Sequence, residues 1–453
     1  MMFQLGHLGA GVLRSRIVAA LVALWVGLAA TPALAVPAFA VQTGQTCQAC
    51  HVGGFGPQLT PYGRQFKLTG YTTRMVNFNA PVSAMAVASY VNTQKGQNPP
   101  APDFASNNNF AIDQVSLFLA GGLGAHLGAF VQTTYDGVAH AFHWDNLDVR
   151  AVEAFDVKAN HVVVGVSLNN SPTLEDAWNT LPAWGYPYTT SALAPSTGVS
   201  PLISGALAQT TLGASAYAWV NAHYYVALGA YGSPGATSLT RLGVDPTSPG
   251  SIDGLAPYGR VAYQRAIGQH TLQVGAFGLQ SSVYPGLDRS AGTTDRYTDL
   301  GVDASEYWAR ENGDVATLNA RYTHERQDLR ASLILGSVQN SKNSLDDLRL
   351  DASYYWRNII GGTVQLFNET GTADTGLYSA NRTSRPDNAG VAFQIDGTPF
   401  GGDSSPLGPR FNLRVGLQYV LYTKFDGATA DYDGAGAKPS DNDTLRVFTW
   451  FAF

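Results

Sequence analysis

The chain has 453 residues, with 33 acidic and 27 basic side chains and a formal net charge of -6. Charged residues make up only 13% of the chain, against about 25% in an ordinary soluble domain, yet 45% of its residues are hydrophobic. The lack of a basic stripe excludes a typical nucleic-acid-binding protein, and the many aromatic residues exclude a disordered chain.

The N-terminal stretch has the composition of an export signal. Two arginines precede a 14-residue apolar run, Ile17 to Ala30. A small-residue cleavage site follows at Ala33–Ala35, with Ala38–Ala40 as a second option. Because a membrane-spanning helix needs roughly 20 apolar residues, we expect residues 1–35 to be a cleaved signal peptide rather than a retained anchor. The mature protein would then lie in or beyond the periplasm.

The chain has two cysteines, Cys47 and Cys50, and His51 follows the second directly. C-x-x-C-H is the attachment motif for c-type haem. Two thiols one helical turn apart add to the two vinyl groups of a porphyrin, and the histidine ligates the iron on the proximal side. A redox dithiol would not need the histidine, and a disulfide would close a small, strained loop. The sequence therefore predicts one covalent haem c, bound by Cys47, Cys50 and His51.

The second axial ligand of the iron stays open. Besides Met1 and Met2 the chain has only two methionines, Met75 and Met85. Met75 is the better candidate because it lies in the segment before the predicted barrel; His126 is another. An ordinary packing role, or an open or water-ligated iron, is the alternative.

Residues 36–79 form a segment too small for a core of its own, and such short chains usually need a staple. Thr60-Pro61 is typical of a helix start, Tyr62 and Phe66 would share one helix face, and Gly70 would end the helix. We expect covalent haem to staple the segment, or a larger structure to receive it.

From about residue 80 the hydrophobic pattern has a period of two, for example from Leu348 to Trp356 and from Phe411 to Tyr422. Segments of about ten residues with one apolar face are the signature of a membrane barrel. A soluble sandwich would carry more charge. We predict an all-β transmembrane barrel of about 16 antiparallel strands over residues 80–453, with the small N-terminal haem c segment docked in or at its lumen.

Strand positions follow from the same alternation. The predicted strands are centred near residues 87, 115, 129, 151, 165, 213, 228, 260, 275, 318, 333, 350, 365, 393, 416 and 449. Long connections, the longest at residues 170–205, are expected outside the cell. Acidic clusters at residues 295–314 and 426–443 are also expected in outer loops, as solvated carboxylates or as oxygen ligands for Fe(II) or Ca(II).

The alternation also directs seven arginines toward the lumen. They would pair with haem propionates, with the docked segment or with acidic side chains of the wall. These residues are Arg150, Arg260, Arg321, Arg330, Arg349, Arg414 and Arg446.

Three stretches of the sequence resemble the fused outer-membrane cytochrome–porins of iron-oxidising bacteria. They are VPAFAVQTGQTCQACHVGGFGPQLTPYGRQFKLTGY (residues 36–71), VSLFLAGGLGAHLGAFVQTTYDG (residues 115–137) and FNLRVGLQYVLYTKFDG (residues 411–427). The resemblance implies one haem c in an N-terminal segment, a barrel of about sixteen strands, and oxidation of Fe(II) at the cell surface. Cys47, Cys50 and His51 are the residues that match the family's functional motif.

The leading hypothesis is an outer-membrane electron conduit in contact with membrane lipid. Its haem c would accept electrons from an extracellular donor, Fe(II) or another small donor, and pass them to a periplasmic c-type cytochrome or another small carrier. Such a protein would act as an Fe(II):cytochrome c oxidoreductase. The alternatives are a diffusion porin in which the haem segment is a structural plug, and a surface receptor that binds partners through long loops such as residues 170–205.

Overall fold

The computed structural model describes residues 37–75, 81–402 and 411–453. The predicted signal peptide therefore lies outside the described residues, as does the predicted boundary between segment and barrel near residue 79. Among the described residues, no helix is both long enough and apolar enough to cross a membrane.

Sixteen antiparallel strands in the described part of the chain form one closed barrel. They are β1 (Val82–Thr93), β2 (Asn109–Gly122), β3 (Leu127–Asp136), β4 (Ala141–Val157), β5 (Asn160–Asn169), β6 (Leu212–Val220), β7 (Tyr224–Gly232), β8 (Ala256–Ile267), β9 (His270–Pro285), β10 (Asp295–Ala309), β11 (Val315–Asp328), β12 (Lys342–Trp356), β13 (Ile360–Gly371), β14 (Asn388–Gly397), β15 (Asn412–Lys424) and β16 (Thr444–Ala452). The barrel closes where β1 pairs with both β2 and β16. A short strand, Gly250–Ile252, pairs with the far end of β9 and extends the line of β8.

Short helices lie in the N-terminal segment and in the loops. They are α1 (Pro37–Thr43), α2 (Cys47–Cys50), α3 (Pro61–Leu68), α4 (Ala236–Arg241) and α5 (Arg330–Ile334). In the described residues, 3-10 turns span Val52–Gly54, Pro172–Glu175, Leu202–Ser204 and Pro439–Asn442.

The two faces of the barrel wall have opposite chemistry. In β12, Leu350 and Tyr354 are exposed on the outside, whereas Asp347 and Asp351 are buried on the inside. A soluble protein would place these side chains the other way round, and an apolar exterior with a polar interior is the pattern of barrels that stand in lipid. The protein is a transmembrane β-barrel, and the predicted fold is confirmed.

The predicted number of strands, 16, is confirmed. One predicted strand is absent from the described structure and one observed strand was not predicted, so the total is unchanged. The predicted strand near residue 333 is wrong, since α5 and its loop occupy that position. The real strand β10 went unpredicted because Asp295, Asp299 and Asp303 give it the composition of a loop. All three are buried on the lumen face, so the acidic cluster at residues 295–314 is not an outer loop.

The connections at the two ends of the barrel differ in length. At one end they are mostly turns, such as residues 158–159, 268–269 and 357–359; at the other end most are long. The end with the turns is here called the short-turn end. In outer-membrane barrels the short turns face the periplasm.

The longest connection, residues 170–211, is not an outer loop as predicted but folds into the lumen. Every residue from Asn170 to Leu181 is buried. Trp178 packs against Trp219 of β6 and Tyr225 of β7 at centroid distances of 5.8 and 5.4 Å. This connection, here called the inward loop, partitions the lumen.

Ion pairs with the wall hold the inward loop in place. Arg260 of β8 lies 3.0 Å from Asp176 of the loop and 2.6 Å from Asp303 of β10, and all three side chains are buried. On the opposite wall, Nη1 of Arg446 donates to the carbonyl of Thr189 at 2.9 Å. Since an unpaired buried charge is strongly unfavourable, these pairs fix the loop inside the barrel.

The expectation for the seven arginines is correct for six of them, which lie on the lumen side of the wall: Arg150, Arg260, Arg321, Arg349, Arg414 and Arg446. Arg330 is the exception. It begins α5, its side chain is 70% exposed, and it pairs with Asp328 at 3.2 Å. The expectation is wrong for Arg330 because the residues around it form a helix rather than a strand.

Replacing Arg260 with methionine should lower the free energy of unfolding by about 3–5 kcal/mol, because two buried carboxylates would lose their shared cation. Urea-induced unfolding of the purified barrel in detergent micelles measures this change. Arg330→Met is the matched control, since it removes an exposed arginine. If both variants unfolded at the same urea concentration, the ion pairs would not anchor the loop.

Candidate functional site

The N-terminal segment lies inside the short-turn end of the barrel. The hydroxyl of Tyr71 donates to Asp148 of β4 at 2.6 Å, and the hydroxyl of Tyr217 in β6 donates to the carbonyl of Leu68 at 2.9 Å. On the other side of the lumen, Arg414 of β15 donates to the carbonyl of Phe55 at 2.6 Å. Because these contacts reach several sides of the wall, residues 37–75 act as a plug.

Helix α3 is the centre of the plug and begins and ends as predicted. The Thr60 hydroxyl accepts a hydrogen bond from the Gly63 amide at 3.2 Å, Pro61 occupies the first turn, and Gly70 follows the helix with a φ of 68°. Phe66 is buried, but Tyr62 is 42% exposed. Of the two side chains expected to share a helix face, Phe66 is therefore the one that packs inside the barrel.

The C-x-x-C-H motif forms one helical turn, α2, fastened to the start of α3. The His51 amide donates to the carbonyl of Cys47 at 2.9 Å, and the Thr60 amide donates to the carbonyl of Cys50 at 2.9 Å. Gly63 packs against that same carbonyl, since a Cβ at residue 63 would lie 2.3 Å from it. The glycine allows the close contact that sets the position of Cys50.

Asn358, in the turn between β12 and β13, attaches the motif to the barrel. Its side-chain oxygen accepts from the Gly53 amide at 2.6 Å, and its nitrogen donates to the carbonyls of Gln48 at 3.1 Å and His51 at 2.9 Å. Gly53 has a φ of 71°, and a Cβ there would lie 2.8 Å from the ring of Tyr355. The chain after the motif is thus shaped to fit the wall.

Cys47, Cys50 and His51 line one cavity of about 290 Å³, here called the cysteine cavity. Aromatic side chains from the plug, the wall and the inward loop form much of its surface. They are Phe39, Phe55, Phe66, Tyr71, Phe118, Phe130, Trp184, Tyr188 and Trp450. An apolar surface with a few polar groups is typical of a cofactor site.

The protonation states of the motif suit a haem better than a redox dithiol. The cysteines form no disulfide. Burial raises the pKa of Cys47, and burial together with Cys47 raises the pKa of Cys50 to about 12. Reactive dithiols have lowered thiol pKa values instead.

His51 is held in its neutral form. Burial, aided by the charge of Arg414, lowers the pKa of His51 to about 4. Its Nδ1 atom is buried and has no hydrogen-bond partner among the described residues. Neutral imidazole is the form that ligates metals, so two thiols and this histidine in an apolar cavity fit a covalent haem c.

The candidates for the second ligand lie in different places. Met75, preferred from the sequence, is 70% exposed and does not line the cysteine cavity. His126 is also largely exposed and pairs with Glu153 at 3.0 Å. Met85 of β1 is 7% exposed and does line the cavity. Of these three candidates, Met85 is the one that lines the cysteine cavity, and the second ligand stays a prediction.

A second cavity of about 340 Å³, here called the arginine cavity, lies between the inward loop and the wall. Arg321, Arg349, Asp347 and Asp351 line it. The loop residue Tyr186 faces this cavity and Tyr188 faces the cysteine cavity, with the two rings perpendicular and 5.4 Å apart. The inward loop thus separates a polar space from an apolar one.

The second acidic cluster lies in a loop as predicted, after β15. Its carboxylates accept hydrogen bonds from backbone amides. For example, the Asp431 carboxylate accepts from the Gly436 amide at 2.6 Å. Across the described ranges, no three His, Cys, Asp or Glu side chains are grouped to hold a metal ion.

No protein-family model matches this sequence, and no curated protein matches it. Solved structures similar to the barrel include OmpT, an outer membrane protein of Vibrio cholerae (9% identity, TM-score 0.41, covering 82% of this chain and 97% of that one). Similar too is an anion-selective porin from Comamonas acidovorans, with 14% identity and a TM-score of 0.42, covering 82% of this chain and 99% of that one. Salmonella typhi OmpF in complex with daunomycin has 14% identity and a TM-score of 0.47, covering 82% of this chain and 97% of that one. At these values the likeness carries no functional conclusion.

Fold and site together define a 16-stranded transmembrane β-barrel whose lumen holds a plug and an inward loop. The C-x-x-C-H motif of the plug faces an apolar cavity between them.

Replacing Asn358 with alanine should weaken docking of the plug, because three hydrogen bonds to it are lost. The set is worth about 1.4 kcal/mol or more, so trypsin cleavage after Arg64 or Lys67, both buried, should accelerate at least about tenfold. Asn221→Ala is the control. Asn221 also lies in a short turn and has the same φ of 53° as Asn358, but its side chain hydrogen-bonds to Asn160 and His161 at the start of β5. Equal cleavage rates in the two variants would contradict this role.

Proposed function

We propose that the protein is an electron conduit of the bacterial outer membrane that carries one covalent haem c. The observation that supports this most directly is the location of Cys47, Cys50 and His51, which line one apolar cavity inside the barrel. A motif with no cofactor role would not need an aromatic cavity, neutral thiols and a neutral histidine together.

The residues around the motif would hold and insulate the cofactor. Cys47 and Cys50 would bind the macrocycle, and His51 would ligate the iron through its imidazole, with Asn358 fixing the backbone of the motif. A c-type haem bound there supplies a one-electron acceptor and donor.

The position of the plug supports a proposal for the side of the membrane from which each partner reaches the protein. The motif lies at the short-turn end, which faces the periplasm in outer-membrane barrels, and a periplasmic c-type cytochrome or another small carrier would dock there. The apolar band of such a barrel is about 25 Å tall. An external donor therefore has to enter the lumen, so it has to be small and hydrophilic.

Fe(II) is the donor that we propose, and the arginine cavity is the space that would admit it. Arg321 and Arg349 pair with the wall carboxylates Asp347 and Glu369. Asp351 has the amide of Asn319 as its hydrogen-bond partner and pairs with no cation in the described residues. One electron would leave Fe(II) to give Fe(III) and cross the partition formed by Tyr186 and Tyr188.

Cells that display the protein should show reduced c-type absorption bands soon after addition of a membrane-impermeant Fe(II) complex. An optical difference spectrum on intact cells measures this, with Cys47→Ala/Cys50→Ala as the control that should show no bands. Bands that dithionite produces but Fe(II) does not would reject Fe(II) as the donor. A well-assembled barrel without haem bands would reject the redox function.

A diffusion porin with a structural plug is the second candidate, because the arginine cavity has the polar lining of a solute path. The receptor hypothesis loses its largest binding surface, since residues 170–211 fold inward.

Solute flux separates the conduit from the porin. The plug and the inward loop together fill the lumen, so liposomes containing the protein should be far less permeable to small sugars than liposomes with an open porin. Swelling assays on the wild type and on His51→Ala test this. High flux that is equal in both proteins would favour the diffusion porin.

A further inference from the structure

We propose that Met85 is the second axial ligand of the haem iron, an inference that rests on the proposed function. The observation behind it is that Met85, from the barrel wall, and His51, from the plug, line the same cavity. The haem would then be held by both parts of the protein.

Met85 is placed at the seam where the barrel closes. It lies in β1 opposite Ser116 of β2 and Ala452 of β16. Its side chain turns inward and packs with Phe55 of the plug and with Phe118 and Trp450 of the wall. The thioether is therefore fixed by rigid strands on both sides, as a ligand that must keep one position should be.

The sulfur atom has a defined orientation. The indole N–H of Trp450 donates to Sδ of Met85 at 3.1 Å, while the Trp450 ring lies 4.8 Å from that of Phe55. A thioether sulfur is a weak acceptor, and an indole N–H in a protein interior usually has a stronger partner. Trp450 thus holds Sδ at the cavity. The amide nitrogen of Gln114 also lies 4.0 Å from this sulfur, a contact that metal binding would displace.

Three other polar groups on the cavity surface already have partners. The Lys67 amine donates to the carbonyl of Leu174 and lies over the ring of Trp184. The hydroxyl of Tyr188 donates to Gln58 at 2.7 Å, and that of Tyr71 to Asp148. Met85 is the remaining soft donor among the described lining residues apart from the two cysteines, and Met/His ligation is an established haem arrangement that raises the reduction potential.

Three spectroscopic and electrochemical measurements on the purified full-length barrel test the inference. Haem content is measured first, by the haemochrome spectrum of the denatured protein. The spin state of the ferric haem and the midpoint potential are then compared between wild type, Met85→Leu and Met75→Leu. We expect Met85→Leu to retain haem, to become high-spin, to bind carbon monoxide readily and to have a lower potential, whereas Met75→Leu should match the wild type.

A third variant guards against loss of folding. Met85→His should restore a six-coordinate, low-spin haem with a potential below that of the wild type, because imidazole replaces the thioether. A wild-type spectrum and potential in Met85→Leu, or an effect of Met75→Leu instead, would overturn the assignment while leaving the conduit in place. A wild-type protein without haem would overturn the proposed function and this inference with it.

Discussion

The structure depends on the requirement that arginines inside a barrel be paired. Six arginines of the wall point into the lumen, where each needs a carboxylate or carbonyl partner. Other strands of the wall supply some of these partners, as Asp303 of β10 does for Arg260 of β8, but Asp176 and the carbonyl of Thr189 come from the inward loop. Pairing of charge therefore brings into the lumen a long connection whose sequence would suit an exposed loop.

This arrangement divides the interior into two regions of different polarity. On one side of the inward loop, charged and amide side chains surround the arginine cavity. On the other side, aromatic side chains of the wall, the loop and the plug enclose the cysteine cavity. Tyr186 and Tyr188 lie at the boundary, with one ring in each region. A polar space for a small hydrated donor next to an apolar space for a macrocycle is what transfer of electrons across a barrel would require.

The sequence predicts well what depends on local pattern. The period of two reveals most strands, because each alternates between lipid and lumen. The motif at residues 47–51 is contiguous, so it can be recognised without the fold, and the haem that it indicates stays a prediction. Helix α3 follows from the cap and proline at its start.

Features that depend on distant partners were not predictable. Strand β10 has three buried aspartates, which are tolerated there through partners elsewhere in the chain: Arg260 binds Asp303, and the amide of Ile203 binds Asp299. The positions of Met75 and Met85 relative to the cysteine cavity depend on where the barrel closes around the plug. Closeness in sequence to His51 favours Met75, but closure of β1 against β16 puts Met85 at the cavity.

The central claim is that this cavity holds a covalent macrocycle, and the intact mass of the purified chain tests it most directly. Protein made in a host with c-type haem maturation should be heavier than its polypeptide by the mass of one haem, and the excess should vanish in Cys47→Ala/Cys50→Ala. A wild-type mass equal to that of the bare polypeptide, measured on a correctly folded barrel, would contradict the account.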